Sequence, residues 1–229
     1  MPAAAILLFA AAGIWLTFQG YHRTADFLAP AFYQVAAGAA VIVFLFWRRR
    51  ERLAWPRGFG NRLSALLQAL HYYAEWSLAG WMPLFLVLRL GTSPRSAAIV
   101  TALYCAAALG GSRVRVVRRR YLAVSVSAAF LGCLLLLATD NRLGAGVGAA
   151  LSGAGLGSAR TLVDQVAARR VPASLAGPAA AALLPALLGA PAYFFGIAIV
   201  SWAAAAASAA AFAVLLLNWL EAKVTGAPG

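Results

Sequence analysis

The chain has 229 residues, 63% of them apolar, with a mean hydropathy of +0.82 and a net charge of +13. Soluble domains are roughly 45–50% apolar, so this composition argues against an ordinary soluble fold and predicts a polytopic membrane protein. The positive charge does not indicate nucleic acid as a partner, because the arginines fall in short blocks between apolar runs, where membrane orientation accounts for them.

A hydrocarbon core of about 30 Å needs roughly 20 apolar residues per helix. On that measure the predicted fold class is all-α, a bundle of about eight transmembrane helices. The opening stretch, MPAAAILLFAAAGIWLTFQG, lacks the basic start and the A-x-A site of a secretory signal, so it is expected to be retained as a helix. Residues 3–20 and 27–47 form the first two predicted helices, and residues 1–47 are taken as one segment. Residues 48–62, RRRERLAWPRGFGNR, form a basic linker whose Pro56, Gly58 and Gly60 argue against a continuous helix.

Residues 63–220 are expected to build a six-helix bundle, followed by a polar tail at 221–229. Its first two helices, 64–89 and 95–112, flank a turn in which Ser93 can cap the next helix with Pro94 at its first position. A basic loop then carries Arg113, Arg115, Arg118, Arg119 and Arg120. A helix over 121–139 and the turn Asp140-Asn141-Arg142 lead to a helix over 143–164, which carries Gly144, Gly146, Gly148, Gly153, Gly155 and Gly157. In lipid such glycines let backbones approach closely, which is their expected role. The segment RTLVDQVAARRVP is predicted to lie at the interface, with Arg160 and Asp164 one turn apart and able to pair. In the last hairpin, Pro185 should kink the first helix, residues 191–196 should turn the chain, and Ala203–Ala211 should pack tightly.

The polar residues of chemical interest gather on the helix after the linker. Gln68, His71, Tyr72 and Glu75 recur at three- and four-residue spacings and so share one face. An ionised Glu75 in hydrocarbon costs on the order of 3 kcal/mol, so Glu75 is expected to line a cavity or pathway rather than face lipid. Tyr73, Trp76, Gln34 and Tyr104 complete the candidate substrate pathway, able to stack on or hydrogen-bond a solute. Cys105 and Cys133 each lie within an apolar run with no ligand-spaced partner, so neither a metal site nor a disulfide is indicated, and no cofactor is expected. His22 and Asp26 are the nearest approach to a catalytic cluster, and as a solvated turn they do not indicate an enzyme.

Placing the linker in the cytoplasm puts 15 of the 19 basic residues on that side, leaving Arg23, Arg89, Arg95 and Arg142 outside. The positive-inside rule then predicts both termini in the cytoplasm, in a bacterial inner membrane. Arg89, near a helix end, is expected to act as an interfacial anchor.

The stretch YYAEWSLAGWMPLFLVLRLGTSPRSAAIVTALYCAAALGGSRV resembles the seventh and eighth helices of the major facilitator superfamily. There a Tyr, an acid and a Trp-x-Pro element recur, here Tyr73, Glu75, Trp81 and Pro83. The loop GGSRVRVVRRR resembles that family's basic loop after the eighth helix, although the usual Asp and second Gly are missing. GAGLGSARTLVDQVAARRVP is similar to the Gly-rich tenth helix and the loop that follows it. The resemblance implies the second half of a transporter plus the last two helices of the first, a partial fold of about eight helices. It implies a secondary transporter, or the C-terminal part of one, moving a small organic solute such as a sugar or metabolite across the bilayer, with proton coupling through Glu75. The four absent helices would come from a separate chain or be replaced by a homo-oligomer. The alternative is a non-transporting membrane assembly protein or a truncated gene product.

Overall fold

The computed structural model describes residues 2–20, 28–49, 59–113, 119–170 and 176–224. Among these residues the fold is all-α. The elements are α1 (Pro2–Phe18), α2 (Leu28–Arg49), α3 (Phe59–Leu90), α4 (Pro94–Gly111), α5 (Arg119–Ala138), α6 (Arg142–Arg170), α7 (Ala176–Leu187), α8 (Gly189–Phe195) and α9 (Ile199–Val224).

Helix α3 is the axis of the bundle, packing against α1, α4, α6, α7 and α9. Its middle, from Ala74 to Leu86, is buried without interruption. Helix α6 lies between α4 and α5, and its glycines explain why it fits there. A Cβ on Gly157 would run into the Ala108 carbonyl of α4, and one on Gly155 into the Ala129 amide of α5. The expected packing role is met at Gly148, Gly153, Gly155 and Gly157; Gly144 instead lies against the Thr139 side chain of the preceding turn, and the nearest neighbour of a Cβ on Gly146 would be the Leu103 side chain at 3.9 Å. Helices α1 and α3 cross at Gly13 and Gly80 with the same intimacy. The alanines of α9 do likewise, Ala204, Ala205, Ala207 and Ala211 being buried where α9 meets α3 and α5.

The turns follow the chemistry of their residues. Ser93 accepts a hydrogen bond from the Ser96 amide at 3.3 Å, with Pro94 opening α4, and Gly91 supplies the left-handed φ of +60° before it. Asn141 accepts from the Gly144 amide at 2.7 Å and so starts α6. The penultimate pass is broken rather than kinked. Helix α7 ends two residues after Pro185, α8 runs through most of the predicted turn, and the chain reverses at Gly196, where φ is +79°.

Two boundaries correct the expectations. Helix α3 begins at Phe59, so Gly60 and Arg62 belong to the helix and not to the linker. Helix α6 continues to Arg170, which makes Arg160 and Asp164 part of one rod instead of a separate interfacial segment. Among the described residues, Tyr121–Ala138 is the one helix long and apolar enough to cross a membrane by length and composition. The apolar runs Ala4–Phe18, Pro30–Val43, Leu184–Phe195 and Ile199–Val214 are shorter, and α3 and α6 carry polar and charged side chains within their length. His22, Asp26, Arg115 and Arg118 lie outside the described residues, as do 50–58 of the linker and 225–229 of the tail.

Candidate functional site

Helix α3 presents Gln68, Tyr72 and Glu75 toward α6, and α6 answers with Arg160 and Asp164. Glu75 is fully buried and Arg160 is 4% exposed. Arg160 Nε donates to Glu75 Oε2 at 3.2 Å, while Nη2 donates to Oε1, so the guanidinium engages both carboxylate oxygens. This fork suits arginine, whose planar donors match a carboxylate.

One turn along α6, Asp164 is half-buried. It accepts from Tyr72, whose hydroxyl lies 2.8 Å from Oδ1 and 2.9 Å from Oδ2, and from Gln68 Nε2 at 2.9 Å. A polar column therefore runs from the half-buried Gln68 and Asp164 inward to the Glu75–Arg160 pair. The predicted pairing of Arg160 with Asp164 does not form. A buried carboxylate without a counter-charge is far costlier than a half-exposed one that keeps neutral donors, so Arg160 serves Glu75.

The other expected residues divide into those that join this column and those that do not. Tyr104, fully buried on α4, donates its hydroxyl to the Glu75 carbonyl at 2.8 Å and ties a third helix to the site. The His71 ring meets Tyr72 edge-on at 5.7 Å, and its Nε2 is buried without a partner. Trp76 lies 5.0 Å from the Tyr72 ring and stacks on Phe9 of α1 at 5.6 Å, with its indole N–H unpaired. Gln34 stands apart, donating from α2 to the Gly80 carbonyl at 3.2 Å with Oε1 unpartnered. Tyr73 is half-buried against the apolar core. Arg113 of the basic loop is exposed. Arg119 and Arg120, expected in that loop, lie in the first turn of α5.

Sequence reasoning missed Arg160 and Asp164 as site residues. The available signal was their position in a helix that runs on unbroken from a glycine-rich apolar stretch, which carries Arg160 inward with it. Among the described residues no group of three or more His, Cys, Asp or Glu could hold a metal ion, and Cys105 and Cys133 are buried free thiols.

Comparison with protein-family models, with curated proteins and with solved structures finds no match to this chain.

Proposed function

We propose that the chain is a polytopic membrane helix bundle of the major-facilitator type, working as a secondary transporter or as the C-terminal part of one. It moves a small organic solute along the column formed by Gln68, Tyr72, Asp164, Glu75 and Arg160. The observation that carries this reading is the position of the Glu75–Arg160 pair, sealed at the centre of the bundle one helical turn from a second hydrogen-bonded group, Tyr72 with the half-buried Gln68 and Asp164. Buried ionisable groups in membrane helices face bundle interiors and mark solute or ion pathways. An ion pair of this kind adds little net stability over an apolar replacement, which argues for a role other than holding the fold together.

The outer surface supports the membrane setting. Leu143, Phe195, Phe194 and Phe32 are 84%, 77%, 76% and 70% exposed, and Val43, Leu187, Ile99 and Val124, on four different helices, are more than half exposed. Apolar side chains spread over so much of a surface need lipid or protein to cover them. Passes shorter than the usual span are accommodated by local thinning of the bilayer and by flanking residues.

The test is uptake by proteoliposomes holding the whole chain, challenged with a panel of labelled sugars, amino acids and carboxylates under an imposed pH gradient. Accumulation of at least one solute, lost in the well-folded Glu75→Gln/Arg160→Gln double variant, is the expected result. A folded, oriented chain that moves none of the panel favours the reading as an assembly partner.

A further inference from the structure

Glu75 and Asp164 are both carboxylates of the column, yet they stand in different electrostatic situations. Glu75 has both oxygens engaged by Arg160, a group that does not lose its proton. Protonating Glu75 would strip the counter-charge from a buried guanidinium, a state that proteins avoid. Asp164 receives only neutral donors, Tyr72 and Gln68, and forms no ion pair among the described residues. Resting on the transport reading above, we propose that Asp164, and not Glu75, is the carboxylate that binds and releases the monovalent cation, proton or metal, coupled to solute movement.

The surroundings of Asp164 support this assignment. From α3 it faces Gln68 and Tyr72, with His71 against the Tyr72 ring and Glu75 one turn deeper. On its own helix the neighbouring charge is Arg160, already committed to Glu75. Beside it on α6, Leu162 and Val163 join an apolar cluster with Tyr121 of α5 and Ala211, Phe212 and Val214 of α9. Thr161 donates its hydroxyl to the Ser112 carbonyl after α4 at 3.2 Å. Counting Glu75, Arg160 and Asp164 as ionised and His71 as neutral, the described cluster carries one surplus negative charge. One monovalent cation neutralises it. A proton delivered by hydronium would form an O–H bond on an Asp164 carboxylate oxygen as a hydronium O–H bond breaks and leaves water. A metal cation would bind the same oxygens by displacing the Tyr72 and Gln68 donors from them.

Asp164 is also placed to transmit the event. Tyr72 links it to Trp76, and Trp76 to Phe9 of α1, so loss of the Asp164 charge weakens the Tyr72 bond at one end of an aromatic column that joins α6, α3 and α1.

Infrared difference spectroscopy on the whole chain in lipid nanodiscs tests the assignment without any solute. The protein is moved from mildly alkaline to mildly acidic buffer at fixed sodium, and separately from low to high sodium chloride at fixed pH. A carboxyl or carboxylate band that responds in wild type, is lost in Asp164→Asn, and persists in the Glu75→Gln/Arg160→Gln double variant supports the proposal. The arm that produces it identifies the cation. A band lost in the double variant and kept in Asp164→Asn overturns it, as does the absence of any Asp164-dependent band in both arms. Should Asp164→Asn fail to fold, Tyr72→Phe serves instead: it removes the hydroxyl on both Asp164 oxygens, and an Asp164 band must then shift in frequency. A band unmoved by Tyr72→Phe overturns the proposal. A failed uptake assay with a positive infrared result would reject the transporter reading while leaving Asp164 as a cation site.

Discussion

Arg160 of α6 reaches Glu75 of α3 across 85 positions of sequence and engages both of its oxygens, in preference to the Asp164 carboxylate one turn away on its own helix. The relationship sets the register of α3 against α6. Sliding or rotating either helix by one residue would bury a bare carboxylate and a bare guanidinium together, at a cost of several kcal/mol for each ion.

The first prediction concerns that pair. Glu75→Gln alone leaves a buried guanidinium uncompensated, and Arg160→Gln alone leaves a buried carboxylate, so each should cost about 3–5 kcal/mol. The double variant should lose much less than the sum, because neither charge remains. Thermal unfolding of the four proteins in one detergent, treated as a double-mutant cycle, measures the coupling. Additive losses would show that the two side chains do not interact.

Much of this site was legible in the sequence, and the part that was not has a physical reason. Gln68, Tyr72 and Glu75 share a face because helical spacing places them there, and the apolar neighbourhood of Glu75 announced its burial. The choice of partner could not be read the same way. Local spacing pointed to Arg160 with Asp164, but an exposed pair one turn apart is worth only about 0.3–0.5 kcal/mol, and the desolvation of Glu75 outweighs it. The end of α3 hid for a similar reason. Gly60 is an unfavourable helix residue by about 1 kcal/mol, yet it lies in the first turn of α3, two residues beyond Gly58, and does not stop the helix that packing holds in place. The glycines of α6, by contrast, were readable as packing positions because close backbone approach leaves few other residue choices.

The second prediction separates glycines that are needed from one that is not. At Gly157 an added Cβ meets the Ala108 carbonyl, a rigid backbone group, whereas at Gly110 nothing lies within 4 Å. Gly157→Ala should therefore force α4 and α6 apart and cost about 1–3 kcal/mol. Gly110→Ala, in the last turn of α4, should be neutral or stabilise by about 0.4–1 kcal/mol through the unfolded chain. Unfolding midpoints of the two variants moving in the same direction would contradict the packing described for α6.

The third prediction addresses the broken pass. Trp81 of α3 donates its indole N–H to the Pro185 carbonyl at 2.8 Å, where α7 is about to end and the Leu188 amide reaches the same oxygen at 3.3 Å. Trp81→Phe keeps most of the buried ring but removes the donor, and should cost about 1 kcal/mol. The loss should be local to the α7–α8 junction. Hydrogen exchange at Leu188 and Ala192 should quicken relative to α4, and uniform quickening through the bundle would instead indicate a general packing defect.

The last prediction fixes the orientation in the membrane. Arg113 and Asn141 are both exposed, and α5, with 20 residues, separates them. At a rise of about 1.5 Å per residue the two positions stand roughly 30 Å apart, so in the proposed membrane setting they should fall on opposite faces of the bilayer. The topology expected from the sequence puts 15 of the 19 basic residues on the Arg113 side, which the positive-inside rule assigns to the cytoplasm. The native thiols are buried, so Cys105→Ala and Cys133→Ala give a background for labelling with little change in surface. In intact cells a membrane-impermeant maleimide should modify Asn141→Cys and leave Arg113→Cys untouched until the cells are opened. Labelling of Arg113→Cys alone from outside would invert the orientation, and labelling of both would reject α5 as a membrane crossing, removing the setting in which a buried Glu75–Arg160 pair implies a pathway.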